Sequence, residues 1–423
     1  MDMKYQDWQL MSEENRLIPE FRFPEFEDTK EWDRKKLIEV GNIITGKTPD
    51  TQDKSLWNGD ILFITPTDII DGNKYQNDSE RTIVQQAGTR ILPAGSIVYT
   101  CIASIGKIAI TKKNSITNQQ INSIIVNESV DNEFVFYALV NLTPYIKSRP
   151  ASSTIPIINK SEFSEFYISV PFEKEEQQKI AHCLSSLDKL VAAHSDKLQR
   201  LKDQKKGLMQ NLFPQEGEKV PKYRFKEFAN DGVWVEKKLE ELAKRGSGHT
   251  PNKQISNYYN GGIKWVSLAD SNKLDNRHIY DTKIQISKEG IENSSAVLHP
   301  PGTVILSRDA GVGKSAVLYS EMAVSQHFIV WICDGSKLSN WFLYYVFQIL
   351  KPVFESIAVG STIKTIGLPY FKELLIPLPS INEQLKIAFC LSSLDELITA
   401  QSEKIEQLQL HKKGLMQGLF PKL

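Results

Sequence analysis

The sequence predicts an α+β protein built as a tandem pseudo-two-fold repeat, with two α+β domains separated by two long helices that form an antiparallel coiled coil. Three observations carry this reading. Residues spaced alternately by four and three mark one seam at Ile180, Leu184, Leu187, Val191, His194, Leu198, Leu201, Lys205, Leu208 and Leu212, and a second at Ile387, Leu391, Leu394, Ile398, Gln401, Ile405, Leu408, Lys412, Leu415 and Leu419. The two stretches also share words: Cys183-Leu-Ser-Ser-Leu-Asp188 with Cys390-Leu-Ser-Ser-Leu-Asp395, and Gly207-Leu-Met-Gln210 with Gly414-Leu-Met-Gln417. Both end at Phe-Pro, Phe213-Pro214 and Phe420-Pro421. Finally, Phe21-Arg-Phe-Pro-Glu-Phe26 returns as Tyr223-Arg-Phe-Lys-Glu-Phe228 and Trp32 as Trp234, a displacement of 202 (21 to 223, 32 to 234). It becomes 207 between Pro93-Ala-Gly95 and Pro300-Pro-Gly302, as in a duplication with small insertions.

In chain order, residues 1–34 are an N-terminal lead, 35–171 the first α+β domain, 172–214 the first spacer helix, 215–236 a linker and second lead, 237–379 the second domain and 380–423 the second spacer helix. Short β-branched runs bounded by Gly, Asn or Pro predict strands at 61–64, 96–99, 108–111 and 121–126, with counterparts at 263–267, 303–306, 316–318 and 328–333. A helix with an aromatic face follows in each half, at 132–142 and 339–350. A heptad face longer than thirty residues needs a partner, and each spacer helix supplies one of equal length for the other. At about 1.5 Å per residue each runs roughly 50 Å and holds apart whatever is attached to its ends.

Four polar residues interrupt the seams at matching places. His194 and Gln401 read as a register-fixing layer near the middle, whereas Lys205 and Lys412 read as long side chains reaching solvent from the seam edge. Gly207 and Gly414 interrupt good helix-forming sequence, which a close backbone approach by the aromatic leads would justify.

Composition excludes several function classes. Lys plus Arg and Asp plus Glu each number 51, so the chain as a whole is not strongly basic, although basic faces remain open to it. Cys101, Cys183, Cys333 and Cys390 form no C-x-x-C pair and have no matching histidine spacing, so neither a zinc site nor a disulfide framework is indicated. The polar opening residues and the lack of a membrane-length apolar run point to the cytoplasm. Gly311-Val-Gly-Lys-Ser315 ends like a phosphate-binding loop but has Arg308 where the first glycine belongs. His299-Pro-Pro-Gly302 reads as a turn before a strand. No catalytic, cofactor or metal constellation emerges.

Local charge is more informative. Residues 81–127 contain no acid while carrying Arg81, Arg90, Lys107, Lys112 and Lys113, and the acid-free stretch 134–161 holds Lys147, Arg149 and Lys160. Such runs are either a solvated face or a phosphate-binding one. Interleaved Asn118-Gln-Gln120 and Ser152-Ser-Thr154 suit base and phosphate contacts. Asn118-Gln-Gln120 and Ser325-Gln-His327 equally suit buried polar groups beside apolar strands.

The half-repeat resembles the specificity subunit of type I restriction-modification systems over nearly the whole chain. The carriers are the lead Phe21-Arg-Phe-Pro-Glu-Phe26 with Trp32 and Lys36-Leu37, then Gly360-Ser-Thr-Ile363, and the helix start Ile376-Pro-Leu-Pro379 with Glu383-Gln384 and Leu391 to Asp395. Lys413-Gly-Leu-Met-Gln417 with Leu419-Phe-Pro421 closes the match; the first copy departs slightly at Ser169-Val-Pro-Phe172. The resemblance implies a non-catalytic subunit without cofactor, in which each α+β unit is a target-recognition domain reading one half of an asymmetric bipartite site in double-stranded DNA. The helices would set the spacer and dock two methyltransferase subunits, with restriction subunits joining through the complex.

Candidate DNA contacts, by residue type and position, are Lys47, Thr48, Lys54, Thr67, Arg81, Arg90, Lys107, Lys112, Lys113, Arg149, Ser153, Thr154 and Lys160 in the first half. In the second they are His249, Thr250, Lys253, Ser267, Lys273, Arg277, Arg308, Lys314, Ser361, Thr362 and Lys364. Two alternatives stay open: the recognition subunit of a related bifunctional restriction-methylation enzyme, and a coiled-coil structural or interaction protein.

Overall fold

The two heptad stretches fold as single helices of 39 residues each. Four helices longer than two turns occur among the described residues: Asn132–Ser148 (α1), Lys174–Leu212 (α2), Asn340–Ile357 (α3) and Ile381–Leu419 (α4). The structure, a computed structural model, describes residues 17–86, 89–149, 156–309, 311–360 and 365–422. It divides into two units, residues 1–194 with 404–423, and residues 195–403. Every seam position named above is buried or half-buried, as an apolar stripe with a partner requires.

The first unit contains strands Asp33–Lys36 (β1), Gly41–Thr45 (β2), Trp57–Ile64 (β3), Tyr75–Gln76 (β4) and Arg81–Ile83 (β5). Ile97–Thr100 (β6), Ile108–Thr111 (β7), Ser115–Thr117 (β8), Ile121–Val126 (β9) and Tyr167–Val170 (β10) follow. They make a five-stranded sheet in the order β2-β9-β6-β7-β4, a three-stranded sheet β5-β3-β8 and the pair β1-β10. Helix α1 covers the larger sheet because Phe134, Val135, Tyr137, Ala138, Leu139, Leu142 and Ile146 are all buried, sharing one core with Ile97, Tyr99, Ile110 and Ile124.

That core also takes Ile180, Ala181 and Leu184 from the start of α2, and Met416, Leu419 and Phe420 from the end of α4. The helices therefore run antiparallel here. Phe420 closes an aromatic triangle, with ring centroids 6.1 Å from Trp32 and 5.5 Å from Phe134. The Phe-Pro end of the second helix thus completes the domain of the first repeat.

The second unit repeats the scheme with Val235–Lys238 (β11), Ala243–Ser247 (β12), Tyr259–Val266 (β13), His278–Ile279 (β14), Gln285–Ile286 (β15) and Leu298–His299 (β16). Val304–Ser307 (β17), Ser315–Leu318 (β18), Met322–Val324 (β19), Phe328–Cys333 (β20) and Leu375–Leu378 (β21) complete it. The sheets are β12-β20-β17-β18-β14, β15-β13-β19-β16 and the pair β11-β21. Leu212 and Phe213 from the end of α2 share a core with Ile387, Ala388 and Leu391 from the start of α4, again antiparallel. Phe213 stacks 5.4 Å from Phe342 and lies 6.0 Å from Trp234, the same triangle in the other unit.

Three sequence expectations need correction. The aromatic-faced helices run past 142 and 350 to Ser148 and Ile357, each carrying an internal proline, Pro144 and Pro352, that does not end it. A methyl group added at Gly207 or Gly414 would meet nothing within 4 Å, so no backbone approaches them. The close approach falls instead at Gly418, which a Cβ would drive into the Phe21 ring and whose carbonyl accepts the Phe21 amide at 2.8 Å. The equivalent Asn211 carbonyl accepts the Tyr223 amide at 2.8 Å. The leads fold back on the helix ends as expected, one turn further along.

The seam lysines do not simply reach solvent. Lys205 Nζ lies 2.6 Å from Asp395 Oδ1, and Lys412 pairs with Asp188. Each of these aspartates closes the Cys-Leu-Ser-Ser-Leu-Asp word and also accepts a tyrosine hydroxyl, Tyr345 at 2.7 Å and Tyr137 at 2.6 Å. Burial and the aspartate raise both phenols above their ordinary value, keeping them protonated as donors.

Candidate nucleic-acid interface

In each unit the strand ends gather one set of loops. In the first, the loop after β2 contains Gly46, and a side chain there would strike the Thr117 and Asn118 carbonyls. Only glycine lets the two loops touch. Thr48 Oγ1 then donates to Gln119 Oε1 at 2.8 Å. Asn118 donates its amide to the Ile64 carbonyl at 3.2 Å, Cys101 to Gln120 at 2.8 Å and Ala103 to Pro156 at 3.2 Å. Lys107 Nζ reaches the Pro66 carbonyl at 2.8 Å, beside Thr67. One face therefore joins residues 46–49, 64–68, 101–107, 118–120 and 156–158.

The second unit builds the same face from equivalent positions. Gly248 abuts the Val324 and Ser325 carbonyls, and Thr250 bonds Gln326. Ser325 donates its amide to Val266 at 2.8 Å, Arg308 to His327 at 3.1 Å and Ile366 to Arg308 at 2.9 Å. His327 Nδ1 sits 2.8 Å from Asp309 Oδ1. Asp309 and His327 stand where the first unit has Ile102 and Gln120, and His249 where it has Lys47.

The structure thus brings together Lys47, Thr48, Thr67 and Lys107 in one face, and His249, Thr250 and Arg308 in the other; Ser267, expected there by sequence, is buried beneath it, its hydroxyl accepting the Ala269 amide at 3.3 Å. Lys314 joins the second through its contact with the Ser271 carbonyl at 3.4 Å. Lys54 and Lys253 are exposed on the loops that continue from residues 49 and 251. Arg81 flanks the first face, next to Glu80, whose amide bonds Asp68, and its guanidinium lies 3.4 Å over the Trp57 ring. Arg149 and Lys160 flank residues 150–155, with Arg149 3.3 Å from Glu162. Ser153, Thr154, Ser361, Thr362 and Lys364 lie outside the described residues.

Other candidates are elsewhere. Lys112 and Lys113 sit in the turn between β7 and β8, at the opposite end of β7 from Lys107, and Lys112 covers the Tyr75 ring at 3.7 Å. Arg90 is near the Leu92–Ser115 bridge at that same end. Lys273 is held by Asp270 at 3.1 Å and the Asp281 carbonyl at 2.8 Å. Arg277 faces the helices, 3.2 Å from Glu396 and 5.1 Å from the Trp341 ring centre.

By sequence, Asn118-Gln-Gln120 and Ser325-Gln-His327 suit two roles, and the structure splits them. Asn118 and Ser325 are buried, while Gln119 and Gln326 are exposed on the loop face. The Asp309–His327 pair has no sequence signal, since nothing local links residues 18 positions apart on separate loops.

Gly311 to Lys314 is a turn into strand β18 and opens no helix, so its amides are not aimed at a phosphate. Burial pushes the Cys101 and Cys333 thiols up to about 12, leaving them poor nucleophiles. Among the described residues no group of three His, Cys, Asp or Glu is placed to hold a metal, and no helix is long and apolar enough to cross a membrane.

Known proteins share this architecture. The chain is 29% identical over 369 residues to the type I restriction enzyme MjaIX specificity subunit of Methanocaldococcus jannaschii, covering 81% of each. It is 24% identical over 438 residues to the MjaVIII specificity subunit of the same organism, covering 97% of this chain and 96% of the relative. The crystal structure of a type I restriction-modification S subunit from M. genitalium superposes with a TM-score of 0.60 at 16% identity, covering 96% of this chain and 99% of that one, and so shares its fold. The profile of the type I restriction modification DNA specificity domain matches residues 29–203 and again 232–410. The chain belongs to the family of type I restriction-modification DNA specificity domains and carries two copies of that domain.

Proposed function

We propose that the chain is the non-catalytic DNA-recognition subunit of a type I restriction-modification complex. Residues 35–171 and 237–379 each read one half of an asymmetric bipartite target in double-stranded DNA. The observation that carries this is the pair of loop faces. Their framework is shared, down to Thr48 with Gln119 and Thr250 with Gln326. Their reading groups differ: Lys47 against His249, Ile102 against Asp309, Gln120 against His327. Different donors and acceptors on one framework suit two different sets of base edges.

Lys47, Lys54, Arg81 and Lys107 in the first half, and Lys253, Arg308 and Lys314 in the second, are assigned to phosphates, which position the protein without specifying sequence. Ser153, Thr154, Ser361, Thr362 and Lys364 remain candidates on the same grounds of residue type. Spacer helices α2 and α4 would dock two methyltransferase subunits, with restriction subunits joining through them, in the cytoplasm.

Single-molecule sequencing of adenine methylation tests the reading. DNA from a host expressing this chain with its neighbouring methyltransferase gene is compared with DNA from a host lacking the chain. A new interrupted motif that depends on this chain is the expected result and gives both half-sites and the spacer. No new motif despite a soluble complex of the two proteins would count against it.

A further inference from the structure

The two Tyr–Asp–Lys clusters are the same device built twice. In the first unit, Tyr137 of α1 donates to Asp188 Oδ2 at 2.6 Å, and Asp188 Oδ1 takes Lys412 of α4. In the second, Tyr345 of α3 donates to Asp395 Oδ2 at 2.7 Å, and Asp395 Oδ1 takes Lys205 of α2 at 2.6 Å. Each ammonium also lies over its tyrosine ring, 5.3 Å from Tyr137 and 5.5 Å from Tyr345. One carboxylate thereby ties three elements at a point: the helix of its own domain, its own spacer helix and the spacer helix of the other repeat.

The adjoining cores are apolar, with Ile180, Ala181, Leu184, Met416 and Leu419 in the first unit and Leu212, Ile387, Ala388 and Leu391 in the second, although Lys74, bonded to Ser185 at 2.8 Å, also lies 5.2 Å from the Tyr137 ring. Apolar burial has no preferred direction and lets a domain pivot or slip on the helix pair. A charge-assisted bond on each carboxylate oxygen does have one. The lysines are, with His194 and Gln401, polar breaks in a mostly apolar seam, which suits a role in fixing register more than one in maximising stability.

We propose that Tyr137–Asp188–Lys412 and Tyr345–Asp395–Lys205 are positioning residues for target choice: without touching DNA, they lock each recognition domain at one angle on the helices and so restrict the interval between half-sites to a single length. This rests on the DNA-recognition reading above. It assigns the spacer interval to named side chains as well as to helix length.

The test uses the full chain with its methyltransferase partner. Duplexes carry the half-sites found by methylation sequencing, at the native interval and at intervals one and two base pairs longer or shorter. Asp188→Asn, Asp395→Asn and the pair together should bind the native duplex within about threefold of wild type, while discrimination against the altered intervals falls at least fivefold. Lys412→Arg and Lys205→Arg, which keep the ion pair, should retain discrimination.

Unchanged discrimination in the asparagine variants overturns the proposal. So does an equal loss of binding at every interval, which is what a merely structural role gives. Should the asparagine variants not fold, Tyr137→Phe with Tyr345→Phe keeps both rings, removes one bond from each cluster and is held to the same outcomes. A wild-type chain that binds no bipartite duplex overturns the parent reading, and the wild type alone tells that failure apart.

Discussion

Arg22 and Glu176 lie 154 residues apart in the chain and meet as a two-pronged ion pair, Nε to Oε1 at 2.8 Å and Nη2 to Oε2 at 2.8 Å. Arg224 and Glu383 repeat it at 2.8 and 2.7 Å. Each glutamate also accepts the indole N–H of Trp32 or Trp234, at 3.1 and 3.3 Å, and only 1% of either glutamate side chain is exposed. Removing one partner strands a buried charge. Glu176→Gln or Glu383→Gln should destabilise the unit that contains it by about 3 kcal/mol, read as a shift of the urea unfolding midpoint. Arg22→Lys should not substitute, because an ammonium cannot offer the fork.

The glycines give predictions of opposite sign. Gly207 and Gly414 are helical with open space around them, so Gly207→Ala and Gly414→Ala should each stabilise by about 1 kcal/mol. Gly418→Val meets the Phe21 ring and should lower the melting temperature or expel the lead from the end of α4. Increased fluorescence quenching of nearby Trp32 would report the expelled lead, and an unchanged melting temperature with undisturbed Trp32 would sink the prediction.

These side chains show what the sequence could and could not reveal. Heptad spacing made both spacer helices legible, because a period of 3.5 leaves a continuous stripe with only one way to be buried. The strands at 108–111, 121–126 and 328–333 were legible too, being short, β-branched and bounded by turn residues. Long-range polar pairing was not. Lys412 meets Asp188 across 224 residues, and no local pattern distinguishes it from a lysine that snorkels to water. For the loop faces residue type was not enough: Lys107 and Lys112 look alike in sequence, yet opposite ends of β7 put one on the face and the other on Tyr75.

Acid should weaken the second unit before the first. His299 is 3% exposed on β16, and burial holds its pKa below the ordinary 6.5; burial likewise lowers His278. The unfolded chain therefore takes up protons where the folded unit does not. Stability is complete above pH 6.5, falls as the pH drops below it, and levels off once the folded-state value is passed. Each histidine contributes at most about 1.4 kcal/mol per pH unit. Unfolding followed between pH 7.5 and 5.5, against His299→Leu, should show a shallower pH dependence in the variant. Identical slopes would mean that other groups carry it.

Helix length makes the last prediction. His194 and Leu198 of α2 and Gln401 and Ile405 of α4 are seam positions near the helix centres, so seven residues added to each helix between them leave the sequence of both ends intact. A heptad preserves the stripe and adds about 10 Å, equal to roughly three base pairs at 3.4 Å each. If the helices set the spacer, the insertion should lengthen the unread interval of the methylated motif by that amount and leave both half-sites unchanged. Three base pairs also turn the duplex by about 100°, given 10 to 10.5 pairs per turn. The second domain then meets its half-site around the helix axis unless DNA or protein twists, so methylation at the lengthened site should be slower than at the native one. Methylation sequencing of a host carrying the insertion reads both effects. Altered half-sites with an unaltered interval would show that the loops, and not the helices, determine the gap.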